Sequence, residues 1–186
     1  METTAVLQKT KWAIDPMHSD VQFKVKSLMI SAVTGSFKKF NGTLTSKSED
    51  FEDAEIQFSL DVNSISSNNE LRDNHIKTAA EFFDADKYPQ INFKSTSFKK
   101  KSKGSYLLIG NLTIKGITKR TELKVEFGGI AKDSKGNLKA GFEVNGAINR
   151  TDFGLNYNSL TESGARIVGE EIKLMADIQA LKEKNN

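Results

Sequence analysis

Apolar and polar residues alternate along much of the chain with a period of two. Val21, Phe23 and Val25 are separated by Gln22 and Lys24, and Ile56, Phe58, Leu60 and Val62 by Gln57, Ser59 and Asp61. The same beat returns at Leu123, Val125 and Phe127, at Phe142, Val144 and Gly146, and at Ile172, Leu174, Ala176 and Ile178. Successive side chains on a strand point to opposite faces, so the pattern predicts strands with one buried face and one wet face. From residue 106 to 114 both parities are apolar at first, and the register there stays open. Asn41-Gly42, Lys103-Gly104 and Asp133-Ser134-Lys135-Gly136-Asn137 read as hairpin turns, and Gly128-Gly129 as a bulge or bend. Many strands with short connections predict an antiparallel sheet closed into a barrel or folded into a sandwich.

One stretch breaks the beat. Residues 68–83 hold helix formers behind an asparagine cap, with Leu71, Ile76, Ala79 and Phe83 at helical spacing. They predict a short helix, or two, covering one end of a barrel before Tyr88-Pro89 returns the chain to a strand. The first ten residues and the tail from Leu181 read as frayed or helical ends. The expected organisation is an extension over 1–10, one β domain over 11–180 and a tail over 181–186.

Composition narrows the function classes. With 27 Lys and Arg against 24 Asp and Glu in 186 residues, the net charge is only +3, which gives no basic field for nucleic acid. A mean hydropathy of −0.46, and no apolar run near the roughly 18 residues a membrane helix needs, exclude an integral helical membrane protein. The absence of cysteine removes disulfides, thiol nucleophiles, zinc fingers and iron–sulfur clusters together. Two histidines, His18 and His75, leave little for a His-rich metal site, so neither metal nor cofactor is expected. The opening residues lack the basic and apolar regions of a secretion signal, which places the chain in the cytoplasm as an expectation.

Four polar groups invite chemistry. His18-Ser19-Asp20 holds the residue types of a nucleophilic triad, but adjacent residues on an extended segment point apart, and no Gly-x-Ser-x-Gly elbow accompanies them. Arg72-Asp73-Asn74-His75 would put Arg72 and His75 on one helix face with Asp73 turned aside, as a polar gate or as a solvated surface. Lys99-Lys100-Lys101-Ser102-Lys103 sits at an expected hairpin tip and reads as a solubilising run. Asn149-Arg150-Thr151-Asp152-Phe153-Gly154 reads as a structural corner in which Arg150 and Asp152 hold the backbone. The twelve phenylalanines are spread over nearly every expected strand, and a barrel of about eight strands either fills with such side chains or encloses one small ligand.

Several of these segments resemble the YceI-like family, known for binding polyisoprenoid lipids. They are Trp12 through Ser19, Gly35 through Gly42, Arg72 through Asp84 with Lys87-Tyr88-Pro89, Gly110 through Thr118, Asn149 through Leu155, and Val168 through Ile172. The resemblance implies an all-β fold, an eight-stranded antiparallel lipocalin-like barrel with a short helical segment between strands. It also implies an elongated apolar cavity for an isoprenoid-type lipid such as a quinone or prenyl phosphate, and a homodimer as a partner state. Many members carry a histidine after the strand that here ends in Lys26, where this chain has Ser27.

On that basis Phe23, Val25, Phe58, Leu60, Phe93, Leu112, Val125, Phe142 and Val144 are expected to line the cavity. Phe83 and Phe153 would close its ends, and His18, Arg72 and His75 would stand at the head-group end. No catalytic residue is assigned. Two alternatives stay open: an enzyme acting on a lipid head group, with His18 and His75 as its imidazoles, or a filled barrel working through its surface as a stress-associated interaction module.

Overall fold

Strands in the computed structural model, which describes residues 8–185, fall where the period-two pattern runs. They are β1 (Thr10–Ile14), β2 (Asp20–Ser27), β3 (Ser31–Phe37), β4 (Phe40–Ser46), β5 (Glu55–Asp61), β6 (Ile65–Ser66), β7 (Gln90–Ser102), β8 (Ser105–Ile114), β9 (Ile117–Lys132), β10 (Leu138–Asn149) and β11 (Val168–Lys182). One helix, α1 (Glu70–Thr78), separates β6 from β7. Antiparallel pairing runs β1-β4-β5-β7-β8-β9-β10-β11, and β1 pairs again with β11 to close the ring. The expected eight-stranded barrel is therefore present, and β2, β3 and β6 continue the sheet beyond β11.

β1 and β2 are two halves of one kinked strand. Pro16 opens a single tight turn over Pro16–His18, and the Asp15 carboxylate accepts from the Met17 N–H to cap it. The first half pairs with β4 and β11, the second with β11 and β3.

The open register of β8 is resolved by its neighbours. Tyr106, Leu108, Gly110, Leu112 and Ile114 face inward, with Leu112 opposite Phe93 and Leu108 opposite Leu123. In β7 an irregularity between Ser95 and Ser97 shifts the parity, so that Phe98 joins Ile91 and Phe93 inside. A second one near Gly141 lies opposite Gly129, whose φ of 111° fits the expected bulge.

The two ends of the barrel differ. At the cap end lie the β2–β3 hairpin, the β8–β9 turn, the β10–β11 connection, and α1 with the turns that follow it. At the terminus end the Glu183 N–H donates to the Lys11 carbonyl, so both ends of the barrel chain meet there. Asn69 caps α1 by accepting from the Arg72 N–H, and the helix is tied down through Ser67. Buried Asp73 accepts from the Ser67 N–H and hydroxyl, while the Arg72 guanidinium donates to the same hydroxyl and to the Ser67 carbonyl. Asp73 is thus the anchor of this cluster, not a residue turned aside.

Other expectations are corrected. Asn41-Gly42 lies inside β4 and makes no turn, because β4 needs Gly42 where the Ile14 and Phe58 side chains cross it. The sheet runs from Thr10 to Lys182, past both expected boundaries, since Trp12 and Ala13 pair with Lys182 and Leu181. Of the expected extension over 1–10, residues 1–7 lie outside the described residues. Leu71 packs on nothing and is 84% exposed.

At the corner after β10, Arg150 holds the backbone as expected. Its guanidinium, 3% exposed, donates to the carbonyls of Gly169 at 2.7 Å, Leu155 at 2.5 Å and Val168 at 3.1 Å. Asp152 stays exposed on the surface; Asn149 caps the turn instead, accepting from the Thr151 N–H. Desolvation pushes the Arg150 pKa down, with Glu170 opposing, yet a guanidinium remains charged. Replacing it orphans three buried carbonyls. Arg150→Met is expected to lower unfolding free energy by about 3 kcal/mol in a denaturant titration, with Arg150→Lys recovering less than half of it.

Candidate functional site

The barrel encloses a cavity of about 210 Å³ whose wall is almost entirely carbon. Among its lining side chains only Gln22, Thr43 and Thr121 are polar residues. Phe23, Phe58, Leu60, Phe93, Leu112, Val125, Phe142 and Val144 are all on this wall. Val25 is not. It shares the inward parity of Phe23 and pairs with Val33 and Ile172, neither of which lines the cavity.

Two strand glycines decide how the rings lie. A Cβ at Gly35 would stand 2.3 Å from Phe23 Cζ, and one at Gly110 would stand 2.4 Å from Phe93 Cζ. Each ring therefore lies flat across a neighbouring strand that offers no side chain.

Aromatic plugs close both ends, unequally. At the terminus end Phe51 adopts a φ of 63° and drops its ring among Trp12, Phe127 and Phe142, with centroids 5.2–5.4 Å away. Beside it Phe98 stacks on Tyr106, whose hydroxyl donates to the Asp50 carbonyl, and burial raises that phenol's pKa. Phe51 and Phe98 are each 1% exposed. At the cap end Phe83, only half-buried, meets Phe37 edge-on at 6.2 Å, and Phe37 in turn lies 5.5 Å from Phe23. Phe83 thus covers this end from outside the wall, while Phe153 is buried in the core beneath the Arg150 corner and does not line the cavity.

The three polar candidates do not meet. Arg72 is spent on Ser67. His75 packs edge-on against Phe82 and Tyr157, which stack on each other at 4.6 Å, so it clasps the cap to the β10–β11 connection. His18 sits on the outer wall at the kink between β1 and β2, where its Nδ1 lies 2.8 Å from the Asp15 carboxylate. None of the three lines the cavity.

A family model described as a YceI-like domain matches residues 12–180. The chain belongs to the YceI-like family. It is 34% identical over 171 residues to the UPF0312 protein SA2479 of Staphylococcus aureus (strain N315), covering 91% of this chain and 96% of that one. The crystal structure of the Campylobacter jejuni YCEI protein superposes with a TM-score of 0.72 at 30% identity, over 99% of this chain and 100% of that one. A polyisoprenoid binding domain from Saccharophagus degradans shares the fold, with a TM-score of 0.60 at 14% identity over 94% and 98% of the two chains.

Several wall positions of this YceI-like barrel escaped the sequence reading although their signal was present. Val21, Ile56 and Leu123 each precede an expected lining residue by two, and Leu174, Ala176 and Ile178 alternate along β11. Phe51 had no such signal, because a plug on a loop follows no period.

The kink carries a titratable brace. Burial alone would raise the Asp15 pKa, but hydrogen bonds from His18, Lys139 and the Met17 N–H outweigh it and hold the carboxyl below its usual range. The stability this carboxylate contributes is full above the unfolded value of about 3.9 and is lost as pH falls through the lower folded value. Asp15→Asn is expected to be less stable at neutral pH and to lose less stability on acidification, as read from denaturant midpoints along a pH series.

Proposed function

We propose that this YceI-like chain is a binding protein that holds the tail of an isoprenoid-type lipid, such as a quinone or prenyl phosphate, inside its barrel. It would sequester or carry that molecule without covalent chemistry. The observation that carries this reading is the cavity walled almost entirely by carbon, which offers a hydrocarbon tail burial and offers a polar substrate few partners. The likeness in fold to a polyisoprenoid binding domain supports it. The dispersal of Arg72, His75 and His18 favours binding over the enzyme alternative, which requires polar groups converging on one reacting atom.

Magnitudes set what the site holds. Burial contributes about 0.8 kcal/mol per CH₂, so one five-carbon unit gains nominally about 4 kcal/mol before ordering costs. The cavity of about 210 Å³ exceeds the roughly 150 Å³ that takes one benzene, but falls short of the 300 Å³ or so at which small-molecule pockets begin. A tail of several units therefore enters only if rings turn aside. Half-buried Phe83 at the cap end is the ring with room to do so, since the Phe51 plug is sealed.

The test is direct. Organic extraction of untreated protein, followed by mass spectrometry, is expected to yield a stoichiometric isoprenoid. Ala176, flanked by Val144 and Val21 on the two neighbouring strands, is a small wall residue suited to blocking the bore. Ala176→Phe is expected to abolish the co-purified lipid at a stability cost of about 1–3 kcal/mol from overpacking. Retention of the same lipid by this variant places it outside the barrel and overturns the reading. So does failure of the native protein to take up a prenyl alcohol in vitro.

A further inference from the structure

The apolar side chains left in water are not scattered. Of the eight large hydrophobic residues exposed among the described residues, six sit at the cap end, namely Leu28, Met29, Ile30, Leu71, Ile117 and Leu160, while Met17 at the kink and Ile130 on β9 do not. Three of them are consecutive at the tip of the β2–β3 hairpin, where Ile30 is 84% exposed. The turn there is closed by the Ile30 N–H donating to the Ser27 carbonyl. Its central residues, Leu28 and Met29, have φ of 51° and 60°. Hairpin turns with two positive φ values favour Asn-Gly, which adopts them at little cost, whereas Leu and Met are strained there. The tip therefore combines local strain with exposed hydrocarbon, Leu28 and Met29 being about half exposed and Ile30 nearly fully so.

Charge on the same hairpin is one-sided. Between Asp20 and Glu49 the chain carries no acidic residue. Lys24 and Lys26, on the strand leading into the tip, are exposed and take part in none of the ion pairs among the described residues. On the facing strand Glu170 is already paired with Arg166, while Glu171 is exposed and outside the ion pairs among the described residues. By contrast, Lys99 and Lys100 at the opposite end are matched by Asp53 and Asp50.

We propose that the cap end docks on an anionic lipid bilayer, with Leu28, Met29 and Ile30 inserted at the interface and Lys24 and Lys26 against lipid phosphates. An apolar tip backed by unpaired lysines is the composition that partitions into such an interface. Leu71 on α1 and Leu160 on the β10–β11 connection flank the same half-buried cap, which then faces the membrane. The proposal rests on the lipid-binding reading for its use, since it brings the yielding end of the cavity to the place where such lipids reside. Docking itself needs no cargo, so the two are tested separately.

The experiment is co-sedimentation of the full chain with phosphatidylcholine vesicles, with and without phosphatidylglycerol and free of any isoprenoid. Binding is expected to require phosphatidylglycerol and to weaken as salt rises. Leu28→Asn with Met29→Gly is expected to reduce it by about tenfold or more without lowering the melting temperature, because that pair suits the turn. Lys24→Glu and Lys26→Glu are each expected to cost about fivefold. The proposal is overturned if the native chain binds neither vesicle or if the Asn-Gly variant binds as well as the native chain. It is equally overturned if that variant dissociates a dimer in solution, which assigns the tip to a second copy. Lipid extraction from the same variant separates the two readings: cargo retained with docking lost leaves lipid binding intact.

Discussion

Closure of the ring depends on one strand doing two jobs. An N-terminal strand that ran straight would pair along β11 and leave β4 with a free edge. The turn at Pro16–His18 divides it, so that β1 bridges β11 and β4 while β2 goes on beside β11 with β3 as its other partner. Removing the seam would expose two strand edges and open the interior to water. The same division lets the β2–β3 hairpin leave the ring at the cap end. Asp15, with Lys139 and His18 around it, holds the angle at which the halves part.

The interior is neither a packed core nor an open tube. Phe51 and Phe98 fill the terminus end, and rings laid over Gly35 and Gly110 keep the middle from filling. Stability is then distributed unevenly along the axis. The terminus end holds the meeting of β1 and β11 and the fully buried rings, whereas the cap depends on a nine-residue helix tied through Ser67. Elements with few buried contacts are those that open first, so the cap end yields before the terminus end.

Much of this was legible from the chain. The alternation at Val21 to Val25, at Ile56 to Leu60 and along β11 is what a barrel wall requires; with the runs at Leu123 and Phe142 it placed β2, β5, β9, β10 and β11, and eight of the nine residues expected on the wall are there. It also overreached: Val25 obeys the period but, like its partners Val33 and Ile172, is not on the cavity wall, which no one-dimensional pattern reveals. Asn41-Gly42 carries the local signature of a turn, yet tertiary packing of Ile14 and Phe58 onto Gly42 makes it strand. His18, Arg72 and His75 drew attention because they are polar and rare. Their partners, Asp15, Ser67 and the Phe82–Tyr157 pair, turn them into braces, and side-chain direction at a kink or helix face is not encoded in spacing. The hairpin tip was hidden for a different reason: Leu28-Met29-Ile30 reads as one more apolar stretch until the turn through it is seen.

The glycines beneath Phe23 and Phe93 carry a consequence for how such a barrel diversifies. The calibre of the lumen is governed from outside the lumen, by residues that never touch what it holds. A single methyl group at either position would tilt a ring and reshape the bore, with every wall residue unchanged. Differences in lumen shape between barrels with the same wall residues are therefore to be sought in the strand behind each ring.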